Sequence, residues 1–193
     1  MYKPDTILWG KESDNYTQRA KNLFKDNLYS NPKDFRDAER IENFLSLEKN
    51  NIKSILDVGC AYGSFAGVLA EKFPAAKILG IDPGKKSISL AKKHFKEYNN
   101  LSFYVGHSHK IDSNKQFDLI VLRMVLQWIP REYLIKTIAE IDRLCKRYIY
   151  IKEYYAGFPK TSVSAHNQKV RIFKQDYGKI FDSLPNYEVM QKK

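Results

Sequence analysis

The sequence predicts an α/β protein, a three-layer α/β/α sandwich built on a mostly parallel sheet. Two observations lead to this prediction. Short β-rich apolar runs alternate along the chain with segments whose apolar residues recur at helical spacing. One of the runs, FDLIVL, is apolar on both faces, as a strand buried inside a parallel sheet is. Alternation of this kind places helices on both faces of one sheet.

Residues 1–50 are predicted to form a helical arm at the N-terminus. Residues 1–30 are polar, with scattered aromatic side chains. The segment NPKD then predicts a helix start, because Asn31 is a favourable N-cap residue and Pro32 suits the first helical position.

The strands and helices of the core alternate over residues 51–155. The predicted strands are SILDVG, KILGID, LSFYVG, FDLIVL and RYIYIKEYY. The predicted helices are SFAGVLAEKF, GKKSISLAKKHF and REYLIKTIAEIDRLC. Ligands of such sheets bind beyond the carboxyl ends of the strands, so the residues that follow each strand are the candidates for a site.

Residues 156–193 have a looser pattern. AGFPKTSVSAHNQKV predicts a loop, RIFKQDYGKIF a helix and YEVM a last strand. No repeat or linker separates a second folding unit, so we expect residues 1–193 to form a single domain.

Composition excludes several classes of protein. No apolar run approaches the length of a membrane span, and the start MYKPDTILWG has no signal-peptide apolar region, so we expect a cytoplasmic protein without a membrane partner. Cys60 and Cys145 are too few for a disulfide framework and are expected to be reduced. No Cys/His cluster predicts a metal.

The net charge of +11 is compatible with a nucleic-acid partner. However, the lysines are spread along a chain that is rich in Lys, Asn, Ile and Tyr, and no long basic block is present. We therefore favour a compositional bias over a nucleic-acid footprint.

The segment ILDVGCAYGSFAGVLAEKF has the pattern of a ligand-binding strand–turn–helix. Gly59 follows the strand directly and Gly63 precedes the helix, with the small residue Ala61 between them. Glycine lets the backbone turn tightly and lets a ligand approach it. The N–H groups at the start of the following helix suit a carboxylate or phosphate.

A second acid narrows the ligand to one that contains a nucleoside. Asp82 ends the next strand, 23 residues after Gly59, where a carboxylate accepts ribose hydroxyls. The nicotinamide and flavin pattern G-x-G-x-x-G is not matched, because Ala61 and Ser64 replace two of its glycines. Asp57 disfavours a pyrophosphate but suits an ammonium group. S-adenosylmethionine carries an ammonium, a carboxylate and a ribose, and fits these residues better.

LDVGCAYG followed by ILGIDP resembles the class I S-adenosylmethionine-dependent methyltransferases, which have a Rossmann-like fold. YVGHSHKID and FDLIVLRMVLQWI are similar to their third- and fourth-strand motifs, so the resemblance covers roughly residues 50–155. Ala61, in place of a glycine, is the departure. The resemblance implies S-adenosyl-L-methionine as cofactor and S-adenosyl-L-homocysteine as product. The implied cofactor-binding residues are Asp57, Gly59, Cys60, Ala61, Gly63, Asp82, Pro83, His107, Ser108 and Leu122.

A narrower resemblance is to the methylases associated with pseudaminic acid biosynthesis. It rests on LWGKESDNYTQRAKN, YIYIKEYY and HNQKVRIFKQDYGKIF. It implies a sugar, a nucleotide sugar or another small polar metabolite as acceptor. Its matching residues Trp9, Tyr16 and Arg19 are further candidates for the cofactor site. Trp9 and Tyr16 would either form an N-terminal lid over the cofactor or pack the N-terminal arm on the core. Because family members usually end in an antiparallel strand pair, the last strand here is expected to be incomplete or the chain truncated.

Most of the rate acceleration in methyl transfer can come from positioning, and a hydroxyl acceptor also needs a base. The catalytic candidates are Glu153, His166 and Arg123, of which Arg123 would grip an anionic substrate. The substrate-binding candidates are Trp128, Tyr154, Tyr155 and Arg171. An RNA methyltransferase and a non-catalytic, cofactor-binding partner subunit are the alternative functions.

Overall fold

The computed structural model describes residues 6–24, 28–164 and 170–190. Its centre is a five-stranded sheet in the order β3-β2-β1-β4-β5, in which all neighbouring strands are parallel. The strands of this sheet are β1 (Ser54–Val58), β2 (Lys77–Asp82), β3 (Leu101–Val105), β4 (Phe117–Arg123) and β5 (Cys145–Lys152). The strand order reverses between β1 and β4, which is where open α/β sheets bind ligands.

Helices cover both faces of the sheet. They are α1 (Thr6–Phe24), α2 (Pro32–Phe44), α3 (Ser64–Lys72), α4 (Lys85–His94), α5 (Arg131–Leu144) and α6 (Tyr177–Asp182). Two apolar clusters fill the layers between them. Ile55 of β1 packs in the cluster of α2, α3 and α4, whereas its neighbour Leu56 packs in the cluster of α5 and α6. Successive strand residues point to opposite faces, so the predicted three-layer α/β/α sandwich is confirmed.

The predicted N-cap of α2 is also confirmed. Asn31 Oδ1 accepts the backbone N–H of Lys33 at 3.0 Å, and Pro32 occupies the first helical position. Because the cap fixes the start of α2 at Pro32, Asp34 and Asp37 lie on the buried side of the helix.

The C-terminal segment differs from the prediction. Lys160–Val163 and Arg171–Lys174 form an antiparallel hairpin, β6 and β7, in place of a loop and the first part of a helix. Ile172 is buried between exposed or half-buried neighbours, which is a strand pattern too short to stand out from a helical one. The strand predicted at YEVM is wrong: residues 187–190 are not in a strand, and Val189 and Met190 are exposed.

None of the helices within the described ranges has the length and apolar character needed to cross a bilayer.

Candidate functional site

The strand ends meet at the reversal point around a turn that we call the glycine turn, residues 59–63. Three of its residues have left-handed backbones: Gly59 (φ +76°), Ala61 (φ +50°) and Gly63 (φ +83°). A Cβ on Gly59 would lie 2.6 Å from Val125 Cγ2, and a Cβ on Gly63 would lie 2.7 Å from Phe103 Cζ. Glycine is therefore required at both positions for conformation and for space.

The Gly63→Ala substitution is expected to lower the free energy of unfolding by about 2–5 kcal/mol. A left-handed non-glycine residue costs roughly 1–2 kcal/mol, and overpacking against Phe103 adds roughly 1–3 kcal/mol. Thermal unfolding followed by circular dichroism measures this change. Gly157→Ala is the matched control, because the nearest atom to its Cβ would be Tyr155 Oη at 3.6 Å. Equal melting temperatures for the two variants would contradict this account of the turn.

Asp57 lies directly before the glycine turn, and its carboxylate is buried without a full set of partners. The residue is 2% exposed, and Oδ2 has no hydrogen-bond partner among the described residues. Burial raises the pKa of Asp57 to about 7, although the charge of Arg123 opposes the shift. A buried carboxylate in this state gains from a positively charged donor.

Asp82 ties the glycine turn to the turn that follows β2. Its Oδ2 accepts the Ala61 N–H at 3.0 Å and its Oδ1 accepts the Gly84 N–H at 2.7 Å. Burial raises the pKa of Asp82, and the hydrogen bond from the Ser13 side chain opposes this rise. The carboxylate therefore organises two turns, and each oxygen retains acceptor capacity for a hydroxyl. Pro83 follows, half-buried against α1.

Helix α1 is seated on these turns by contacts that the sequence did not indicate. Asp14 Oδ1 accepts the Ser87 N–H at 2.9 Å and so caps α4 from outside that helix. The Thr17 and Ser87 hydroxyls form a buried hydrogen bond of 2.7 Å. Polar contacts between elements 70 residues apart in the chain have no local pattern, which is why sequence reasoning missed them.

The three predicted residues of α1 have different surroundings. Tyr16 stacks on Tyr62 of the glycine turn, with ring centroids 6.1 Å apart and planes at 22°. Trp9 is half-buried, and its Nε1 has no hydrogen-bond partner among the described residues. Arg19 is half-buried, and its positive charge interacts electrostatically with Tyr16. The structure thus brings Tyr16 to the glycine turn, and the lid stays a prediction beside simple packing of the N-terminal arm.

Arg123, at the end of β4, lies in a buried network of charges. Its guanidinium is 2.8 Å from Asp34 Oδ1 and 2.7 Å from Asp37 Oδ2, and it stacks over the Phe65 ring at 4.7 Å. Lys152 Nζ is 2.6 Å from Asp37 Oδ1. Although burial opposes the shift, hydrogen bonds from Lys152 and Arg123 lower the pKa of Asp37. Sequence reasoning expected Arg123 to grip a substrate, whereas here its charge is engaged by α2.

The residues after β4 form a second turn, residues 124–128, which we call the β4 turn. Its first residue, Met124, is left-handed (φ +58°), and Leu126–Trp128 form a 3₁₀ helix. Glu153, which follows β5, accepts backbone N–H groups from Val125 (2.7 Å), Leu126 (2.7 Å) and Gln127 (3.4 Å). The predicted base thus contacts the backbone of the neighbouring strand end.

The remaining predicted substrate residues lie around the β4 turn and the hairpin. Trp128 is half-buried, whereas Tyr154 and Tyr155 are exposed after β5. The ammonium of Lys174 lies 5.1 Å from the centroid of the Tyr154 ring. Arg171 is exposed at the start of β7. His166 lies outside the described residues.

The other predicted cofactor residues divide between the site and the core. The Gly106 N–H donates to the Asp82 carbonyl, so the next residue, His107, lies close to the end of β2. Burial lowers the pKa of His107, and the Ser108 hydroxyl is 3.2 Å from that of Thr137. Cys60 is buried, and burial raises the pKa of its thiol well above the ordinary value. Leu122, predicted to face the cofactor, is fully buried in the α5–α6 layer.

No group of three or more His, Cys, Asp or Glu side chains that could hold a metal ion occurs among the residues that the structure describes. At the strand ends, the buried carboxylates of Asp57 and Asp82 lie beside the glycine turn.

Comparison with known proteins gives a consistent match for the core. Residues 55–148 match the family model described as a methyltransferase domain. The chain is 29% identical over 119 residues to malonyl-[acyl-carrier protein] O-methyltransferase 1 of Ilyobacter polytropus, covering 62% of this chain and 39% of that protein. It is 30% identical over 102 residues to trans-aconitate 2-methyltransferase of Deinococcus radiodurans, covering 53% and 38%. The chain therefore spans well under half the length of these relatives.

Solved structures show the same fold. A structure from Methanococcus maripaludis, described as a candidate S-adenosyl-L-methionine-dependent methyltransferase, superimposes with a TM-score of 0.59 at 23% identity, covering 80% of this chain and 67% of that one. The N-terminal domain of EvdMO1 with S-adenosylhomocysteine bound superimposes with a TM-score of 0.62 at 16% identity, covering 90% and 85%.

Proposed function

Because residues 55–148 form a methyltransferase domain of the class I, S-adenosylmethionine-dependent type, we propose that this chain transfers a methyl group to a small polar metabolite. The observation that carries the proposal is the pairing of the buried, partner-poor Asp57 carboxylate with the left-handed glycine turn beside it. The two features suit one ligand. The Asp57 carboxylate can accept hydrogen bonds from its ammonium group, and the glycine turn lets the ligand approach the backbone closely.

The residues present fit S-adenosylmethionine. Asp57 Oδ2 would accept from its ammonium group, the glycine turn would admit it to the backbone, and the spare acceptor capacity of Asp82 would hold the ribose hydroxyls. When bound, the cofactor supplies a methyl group on a sulfonium leaving group. The task left to this chain is to orient the acceptor and exclude water, so rigid walls matter more than acid–base groups.

The acceptor is the finer part of the proposal. We favour a sugar or nucleotide sugar, because Tyr154 and Tyr155 offer exposed aromatic faces beside the strand ends and Arg171 offers a cation for a carboxylate or phosphate. The two relatives are named for malonyl-[acyl-carrier protein] and trans-aconitate as acceptors. Those names support a polar, acidic acceptor.

RNA is a second candidate acceptor, favoured by a specific charged surface. Lys21 of α1 and Lys85, Lys86 and Lys93 of α4 line an open groove of about 350 Å³. Among the described residues no carboxylate lies within 4.0 Å of these four ammonium groups. Unpaired lysines on adjacent helices attract a phosphate backbone, with an affinity that falls steeply with salt.

Methyl-labelled S-adenosylmethionine distinguishes the candidates. When the protein and the labelled cofactor are incubated with an extract of the source organism, we expect the label to enter the small-metabolite fraction. The Asp82→Ala variant should reduce the amount of label in that fraction at least about 100-fold. Label in RNase-sensitive material would instead identify RNA as the acceptor. Binding of S-adenosylhomocysteine without label in any fraction would count against the proposed function and favour a non-catalytic, cofactor-binding partner subunit.

A further inference from the structure

Glu153, the predicted base, makes its hydrogen bonds to the backbone of the β4 turn. Its Oε1 accepts two short hydrogen bonds, from the N–H groups of Val125 and Leu126, and its Oε2 faces the N–H of Gln127. These three donors are consecutive and lie at the start of the 3₁₀ helix, where backbone N–H groups have no partner within the helix. The carboxylate therefore caps the β4 turn from a different strand.

The β4 turn needs such an anchor. Met124 is held at φ +58°, a conformation that costs a non-glycine residue roughly 1–3 kcal/mol unless its surroundings enforce it. The Met124 N–H donates to the Lys152 carbonyl at 2.7 Å, one residue before Glu153. Two consecutive residues after β5 thus hold the start of the turn, one through its carbonyl and one through its carboxylate.

The anchored turn forms one wall of the cofactor site. Val125, the first residue bonded to Glu153, places its Cγ2 2.6 Å from where a Cβ on Gly59 would be. Val125 therefore packs directly on the glycine turn. On the other side, the Tyr177 hydroxyl donates to the Phe173 carbonyl at 2.7 Å, and the charge of Glu153 acts on Tyr177. A shift of the β4 turn would therefore move Val125 relative to Gly59 and would also change the packing beside Tyr177, which is bonded to β7.

We propose that Glu153 is a positioning residue, whose carboxylate fixes Val125 over Gly59 and thereby sets the shape of the cofactor site. The inference rests on the proposed function and assigns Glu153 an indirect part in it. Among the described residues, the three hydrogen-bond donors to the carboxylate are backbone N–H groups, and the two short bonds share Oε1. The observed contacts of Glu153 are therefore those of a residue that holds the turn.

Three Glu153 variants test this role in the free protein and with S-adenosylhomocysteine. In Glu153→Ala we expect faster hydrogen exchange of the Val125 and Leu126 amides and about tenfold weaker binding of S-adenosylhomocysteine by calorimetry. Glu153→Gln should restore most of both, because an amide oxygen still accepts the two short hydrogen bonds. Glu140→Gln is the control, since Glu140 accepts the Ile111 N–H in another loop.

The outcomes separate a positioning residue from a base. Unchanged affinity in Glu153→Ala with faster amide exchange would overturn the inference. So would a Glu153→Gln variant that binds S-adenosylhomocysteine like the wild type but loses the rise of its kcat with pH, since that is the behaviour of a base. A wild-type protein that does not bind S-adenosylhomocysteine at all would overturn the proposed function, whereas the amide exchange would still report the anchor.

Discussion

The Asp57→Asn variant is expected to bind S-adenosylhomocysteine about 100-fold more weakly than the wild type without losing stability. S-adenosylhomocysteine retains the ammonium group of the cofactor, so binding would lose a buried, charge-assisted hydrogen bond worth roughly 2–5 kcal/mol. The folded protein loses no hydrogen bond at Asp57 Oδ2, because this atom has no partner among the described residues. Calorimetric titration and thermal unfolding measure the two effects separately.

The pH dependence gives the same prediction a second test. Burial raises the pKa of Asp57 to about 7, so an ammonium ligand must displace a proton below that pH. We expect the wild-type affinity to rise roughly tenfold from pH 6 to pH 8, and that of Asp57→Asn to stay nearly flat. A wild-type affinity that falls over this range would contradict the assignment of Asp57 to the ammonium group.

The effect of Asp57 on stability has the opposite sign. Since its folded-state pKa is raised, the stability that protonated Asp57 contributes is complete below its unfolded-state pKa of about 4 and is lost as the pH rises through about 7. The asparagine variant has no charge to bury, so at pH 8 it should be more stable than the wild type by up to about 4 kcal/mol, the cost that corresponds to a rise of the pKa from about 4 to about 7.

Asp118→Asn is the matched control for both effects. Asp118 is a buried aspartate near the start of β4, and its Oδ2 accepts the N–H groups of Lys53 and Ser54 at 2.9 and 3.1 Å. Although burial opposes it, these hydrogen bonds and Lys146 lower the pKa of Asp118. Its asparagine variant should therefore lose stability and keep its ligand affinity, the reverse of Asp57→Asn.

The parts of this site that could be predicted from sequence are those that depend on local chain geometry. Gly59 and Gly63 are identified because a strand, a tight turn and a helix follow within one segment. Asp82 is identified because the next strand must return to the same sheet edge. The hairpin β6–β7 was not predicted, since two four-residue strands lack enough alternation to be separated from loop and helix.

The contacts that could not be predicted join elements far apart in the chain. Asp37 and Arg123 are 86 residues apart, and Asp14 and Ser87 are 73 apart. Asp34 lies in the first turn of α2, where a helix starting at NPKD places it, but the sequence does not indicate the Ser64 hydroxyl that donates to its carboxylate. Such pairs follow from how α1 and α2 sit on the sheet, and this packing has no periodic signature in either segment.

Arg123→Ala is expected to lower the free energy of unfolding by about 2–4 kcal/mol, and the melting temperature by roughly 5–15 °C. The substitution leaves the buried carboxylates of Asp34 and Asp37 without their shared guanidinium, and Asp37 retains Lys152 as its main cation. Removing one partner of a buried charge network is costly because the remaining charges cannot be resolvated. Circular dichroism at neutral pH measures the change.

Arg147→Ala provides the comparison that assigns the Arg123 effect to burial. The guanidinium of the exposed Arg147 pairs with Glu48 at the surface, and a pair of this kind contributes little, so the melting temperature should change little. If Arg123→Ala instead melts like Arg147→Ala and raises only the KM of the acceptor, the guanidinium is free to leave α2 and hold a substrate, as its position after β4 suggests. A large loss of stability together with an unchanged KM in the surviving folded protein would identify Arg123 as the tether of α2.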